Sequence, residues 1–167
     1  MAASVLNDAF AHHIWASERL IDECTALTPE QLRTPVPGTY GSIIDTLRHL
    51  VRSDGWYLSF FREGITRADE EATLGELRSA ITRNGAAWVE VLAGELDADA
   101  DIVEYDNGWE VHSPLGVRLA QVIHHGSDHR SHVCTGLSIL GRTPPEIDVW
   151  AYARATGRER AMKSHGP

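Results

Sequence analysis

Apolar residues recur at spacings of three and four along four long stretches of this chain, and helix-start or helix-stop residues bound each stretch. No other feature constrains the fold as strongly. A period of 3.6 residues gives each stretch one apolar side, and that side must be covered by another element. The first stretch runs from about Val5 to Ala26, with Leu6, Phe10, His13, Ile14, Ser17, Ile21 and Cys24 inward. Thr28-Pro29-Glu30-Gln31 then reads as an N-cap, a proline at N1 and a Gln at N3, opening a short extra turn. After a Pro/Gly-rich loop from Thr34 to Gly41, the second stretch runs from Ser42 to near Gly64, with Ile43, Leu47, Leu50, Tyr57 and Phe61 inward. Thr73-x-x-Glu76 is a capping box for the third, which runs to about Gly94.

Between Ile102 and His112 the period changes to two. Val103 and Tyr105 are expected to face Trp109 and Val111 around Asp106-Asn107-Gly108, as a small hairpin. Ser113-Pro114 supplies an N-cap and N1 for the fourth stretch, which should stop at Gly141 before Pro144-Pro145. A short C-terminal helix is expected from Ile147 to Ala155. These elements predict an all-α protein: a four-helix bundle with a small β-hairpin between the third and fourth long helices and a short C-terminal helix. At 167 residues, with no repeat or second boundary, residues 1–157 read as one domain and 158–167 as a flexible tail.

Charge removes one class of partner. The net charge of −9, with no local Lys/Arg cluster, argues against nucleic acid. No stretch approaches the roughly 20 apolar residues of a membrane span. Met1–Asn7 lacks the basic start of a secretion signal, and only Cys24 and Cys134 carry thiols, so a cytoplasmic location is expected.

Nine histidines are many for such a chain. His125 and His129 lie one turn apart on the fourth long helix, at the edge of its apolar stripe, where both can reach one metal ion. His49 sits on the flank of the second helix, with Ser53, Trp56 and Phe60 above it in the same row. A third nitrogen from a facing helix would leave a coordination position open for water or substrate, as catalytic zinc sites do. The pair alone is also compatible with half-exposed imidazoles bonded to neighbouring carboxylates. Gly126, in mid-helix, needs either a close helix crossing or room for a ligand. His13 reads as a buried core residue. His12, on the flank, and His132, near the pair, are candidates to support the site. Asp54 falls inward and needs a buried partner, for which Arg19 and Arg130 are candidates.

Trp15-Ala16-x-x-Arg19-Leu20, Gly41 to Leu50 with Asp54 and Trp56, and His125-Gly126-Ser127-Asp128-His129-Arg130 occur in this order over about 130 residues, followed by Leu140-Gly141, Pro144-Pro145 and Asp148 to Tyr152. The series resembles the DinB/YfiT-like superfamily of metal-binding four-helix bundles. By position, the resemblance implies His49, His125 and His129 as three ligands of a zinc, nickel or manganese ion. Asp128 and His132 stand where many relatives have histidine and glutamine. The resemblance further implies a small-molecule substrate, a homodimer, and thiol-dependent chemistry with a low-molecular-weight cosubstrate such as mycothiol, bacillithiol or glutathione.

On this reading the open position takes a thiol and lowers its pKa, Trp56 and Phe60 offer an apolar wall, and the product is a thiol conjugate. The alternatives are a non-catalytic metal-binding protein of the stress response, or a metal-dependent hydrolase. An isomerase also remains open for the enzyme. No glutamate beside the histidines favours the hydrolase.

Overall fold

The computed structural model describes residues 4–162. Its elements are α1 (Val5–Cys24), α2 (Pro29–Leu32), α3 (Ile43–Leu58), α4 (Leu74–Leu92), β1 (Asp101–Asp106), β2 (Trp109–Pro114), α5 (Leu115–Ile139) and α6 (Val149–Ala155). The protein is therefore mostly helical, with one two-stranded antiparallel sheet. Among the described residues no helix is long and apolar enough to cross a membrane. Of the expected C-terminal tail, residues 163–167 lie outside the described residues. Arg158, at its start, bonds back to Ala153 O through its amide (2.8 Å) and to Asp8 through its guanidinium (2.5 Å).

Helix starts follow the sequence closely because short polar side chains satisfy the orphan amides of each first turn. Thr28 and Thr73 form capping boxes with Gln31 and Glu76. Ser42 Oγ accepts the Asp45 amide at 3.3 Å. Three boundaries differ from expectation. α3 stops at Leu58, six residues before Gly64: the amides of Phe60 and Phe61 bond three residues back, and the tightened turn swings Phe61 onto Trp88, with ring centroids 5.5 Å apart. Ser113 does not cap α5. It pairs with Ile102 in the hairpin and its Oγ accepts from Arg118 Nε, so Pro114 leads strand directly into helix. The hairpin closes through two residues rather than three, with Asn107 and Gly108 at φ 46° and 81°. Tyr105 consequently pairs with Glu110 and Val103 with His112, which puts Val103 and Tyr105 on the opposite face from Trp109 and Val111.

Each long helix packs on two others: α1 on α4 and α5, and α3 on α4 and α5. Two apolar clusters fill the interior. One gathers Leu20, Ile21, Ile43, Leu47, Leu77, Ile81, Val133 and Leu137; the other gathers Phe10, Leu58, Trp88, Leu119 and Val122. Between them lies a buried polar layer of His13, Ser17, Asp54, Asn84 and Arg130. Asp54 Oδ1 accepts from His13 Nε2 (3.0 Å) and Trp88 Nε1 (3.1 Å), and Oδ2 accepts from Asn84 Nδ2 (2.8 Å). Arg130 Nη1 bonds to His13 Nδ1 at 2.8 Å. A guanidinium can only donate, so His13 Nδ1 accepts and the ring proton sits on Nε2, directed at Asp54. The partner of Asp54 is therefore Arg130 by way of His13, while Arg19 stacks over Trp15.

Gly126 admits this layer. A methyl group there would lie 2.3 Å from His13 Nδ1, so the space cleared on α5 holds an imidazole of α1 and not a ligand. In an open helix Gly→Ala adds about 1 kcal/mol of stability. Here the sign should reverse: Gly126→Ala is expected to lower the unfolding free energy by about 2 kcal/mol through overpacking. Asp54→Ala should lower it by about 3–5 kcal/mol, because it strands Arg130 in the interior. Urea denaturation of the two variants checks both values, and a stabilised Gly126→Ala variant would contradict the packing described.

Candidate functional site

His49, His125 and His129 converge on the α3–α5 flank of this polar layer. One ring nitrogen from each falls within a group whose members lie within 4.8 Å of one another. The closest pair, His49 Nε2 and His125 Nε2, is 3.0 Å apart. In a tetrahedral zinc site with bonds of 2.0–2.1 Å, neighbouring ligand nitrogens are roughly 3.3 Å apart, so the closest pair is near an ion's requirement and the third nitrogen lies within 4.8 Å of both.

The local reasons are simple. A four-residue step on α5 stacks His125 and His129 on one face. α3 packs directly against α5 and brings His49 to that face. Arg130, the next residue after His129, turns about 100° further round α5 and enters the polar layer. One stretch of α5 thus serves the interior and the flank together.

Electrostatics keeps the three rings as lone-pair donors. Burial, with His129 and His49 close by, pushes His125 down to about 4. Burial, with His49 and His132 close by, pushes His129 down to about 4. Burial also lowers His49. All three are neutral at pH 7, the form that binds a metal. His129 Nδ1 is buried without a hydrogen-bond partner among the described residues. His132 Nδ1, on the neighbouring ring, is unpartnered as well, and unmet buried imidazole nitrogens in and next to the group suit a site whose full complement includes an ion. On both counts the residues fit a divalent metal.

The other expected site residues divide. His132 stays close, its ring edge-on to His129 at 5.4 Å and its Nε2 3.9 Å from Asp128. Ser53 lies half-buried one turn along α3 from His49. Trp56 and Phe60 pack on one another at 5.0 Å and against the Arg118 guanidinium, which sits 4.3 Å from the Phe60 centroid and pairs with Glu104 of β1. They belong to the hairpin side. His12 bonds to Ile147 O at 2.8 Å and lies against Trp15 and Tyr152, tying α1 to the segment before α6.

Sequence reasoning missed Tyr40. Its ring stacks on His49 (4.1 Å, 19°) and meets His129 edge-on (5.3 Å). The loop holds it there: Pro35 bridges to Ser42, and Thr39 Oγ1 donates to Val36 O and Gly41 O. A single aromatic inside a Pro/Gly-rich loop carries no periodic signal. Only its place directly ahead of the Ser42 cap could have drawn attention to it.

The DinB family model matches residues 1–162 of the chain. No curated protein matches it.

Tyr40 covers one face of His49 while remaining half exposed itself. Tyr40→Ala should therefore speed carbethoxylation of His49 several-fold over wild type, with His124 as an exposed internal reference. Peptide mass mapping over a time course reads this, and an unchanged His49 rate would rule out the shielding.

Proposed function

The chain belongs to the DinB family, and we propose that it is a metal-dependent thiol S-transferase in which His49, His125 and His129 hold a divalent ion. The observation that carries the proposal is the convergence of three neutral imidazole nitrogens from two helices within 4.8 Å. Zinc, nickel and manganese all accept such a donor set, and supply in the cell selects among them. The closed packing order α1–α4–α3–α5 supports reading the fold as the four-helix bundle of this family.

When bound, the ion supplies Lewis acidity that makes a thiol in its open position a nucleophile at neutral pH. The protein does the rest. His125 and His129 are fixed by a helix whose interior face is anchored through Arg130. Tyr57 packs edge-on to His125 at 5.6 Å and limits the swing of its ring. Tyr40 excludes water from one side of His49 and His129. The thiol sulfur forms a bond to an electrophilic carbon of the second substrate as the bond from that carbon to its leaving group breaks. The leaving group departs with the electron pair, as chloride does from a chloroarene, and the thiol proton goes to solvent. A thiol of the mycothiol, bacillithiol or glutathione type fits the class. A cytoplasmic homodimer without nucleic-acid partners completes the proposal, the last in keeping with the charge of −9.

Elemental analysis of the purified protein should find about one divalent ion per chain, lost in His49→Ala and His125→Ala. Saturating metal at about 100 times its Kd should add about 2.7 kcal/mol of stability to wild type and none to either variant. Metal content unmoved by both substitutions would refute the site. Incubating the loaded protein with each thiol and 1-chloro-2,4-dinitrobenzene should give a conjugate detectable by mass. Metal binding with no conjugate from any thiol would leave a metal-binding protein without transferase activity.

A further inference from the structure

Beside His49 a cavity of about 260 Å³ opens between α3, Tyr40 and the segment of residues 68–72. Its chemistry goes beyond holding a metal. Arg48 and Arg52 line it, one turn apart on α3 and flanking His49 in sequence. Backbone carbonyls fix both guanidinium groups: Arg48 Nε donates to Ala72 O at 3.1 Å, and Arg52 Nη1 to Ala68 O at 2.6 Å. Each also meets a glutamate, Arg48 with Glu71 at 3.1 Å and Arg52 with Glu70 at 2.9 Å.

The two sides of these pairs are unequal. The arginine side chains are 20% and 24% exposed, whereas the glutamates are 84% and 80% exposed. Ion pairs to freely solvated carboxylates contribute little and exchange readily. A guanidinium has five N–H donors in a fixed fork, and the contacts described occupy only part of it. Asp45 also borders the cavity, but its carboxylate accepts from Ser42 Oγ at 2.6 Å within the α3 cap. The site thus presents two immobilised cations whose present carboxylate partners are replaceable.

We infer that this cavity is a subsite for a carboxylate of the small molecule that occupies the three-histidine site, with Arg48 and Arg52 as its clamp. Glu70 and Glu71 hold the place of that carboxylate and give way to it, and Tyr40 and His49, which both line the cavity, join the subsite to the imidazoles. The inference deepens the metal-dependent reading and rests on it for what lies beside the carboxylate. A divalent ion held by three neutral imidazoles would add positive charge at the cavity edge and strengthen the preference for an anion.

Calorimetric titration with succinate and with its uncharged analogue succinamide tests this, on zinc-loaded and metal-free protein. Succinate should bind wild type and succinamide should not. Arg48→Gln and Arg52→Gln should each weaken succinate about tenfold or more, the scale of a charge-assisted hydrogen bond. The double variant Glu70→Gln/Glu71→Gln should tighten it several-fold, because the competing carboxylates are gone; a gain of affinity cannot come from misfolding. Absence of succinate binding to wild type, equal binding of succinamide, or affinities unmoved by the arginine and glutamate changes would each overturn the subsite. Zinc held through His49 with no succinate bound removes this inference alone. Arginine-dependent succinate binding by a protein that holds no zinc removes the metal reading and keeps the anion subsite.

Discussion

Asp54 is 2% exposed and accepts hydrogen bonds from His13 on α1 and from Asn84 and Trp88 on α4, while Arg130 of α5 completes the set through His13. Asp54 itself lies on α3. One carboxylate therefore ties together the four long helices. A charge so placed is tolerated only while every member of its network is present and correctly aimed. The two apolar clusters on either side supply most of the burial, but leucine against leucine tolerates sliding and repacking. Directed hydrogen bonds do not. The polar layer gives the helices a unique register.

That register also makes the candidate site. His129 and Arg130 are neighbours on α5, so locking the Arg130 side chain against His13 fixes the rotation of α5 and the direction of His129. Asp54 lies five residues beyond His49 on α3, and the same lock holds that helix against its partner. The three imidazoles thus meet on the flank of the polar layer, where the interior is already polar and the surface within reach. Arg48 and Arg52 share the flank and hold the 68–72 segment against α3. Tyr40 closes one side from the loop before the helix.

Much of this was legible in the chain. Helix starts could be read because capping is local chemistry: Thr28, Ser42 and Thr73 cap where their spacing says they should. Helix ends were harder. α3 stops at Leu58 because Phe61 gains a place against Trp88, a contact with a residue 27 positions away that no local window contains. The hairpin was visible in Asn107-Gly108, yet its register was not. A two-residue turn and a three-residue loop differ by one position, and that position exchanges the faces. Ser113 looked like a cap and became a strand residue, since strand pairing and Arg118 claimed its polar atoms.

The sequence by itself determined that the chain is helical, where its helices begin, and that His49, His125 and His129 sit on helix flanks where they could meet. The DinB family followed from the order and spacing of short motifs, because those are properties of the chain alone. Only the tertiary structure decided that Gly126 makes room for His13, that Asp54 reaches Arg130 through an imidazole, that His12 serves the α1–α6 junction, and that Tyr40 lies over the histidines. Each of these depends on where one helix or loop stands against another. Packing and buried hydrogen bonds set those relations among residues far apart in the chain, and local periodicity carries no record of them.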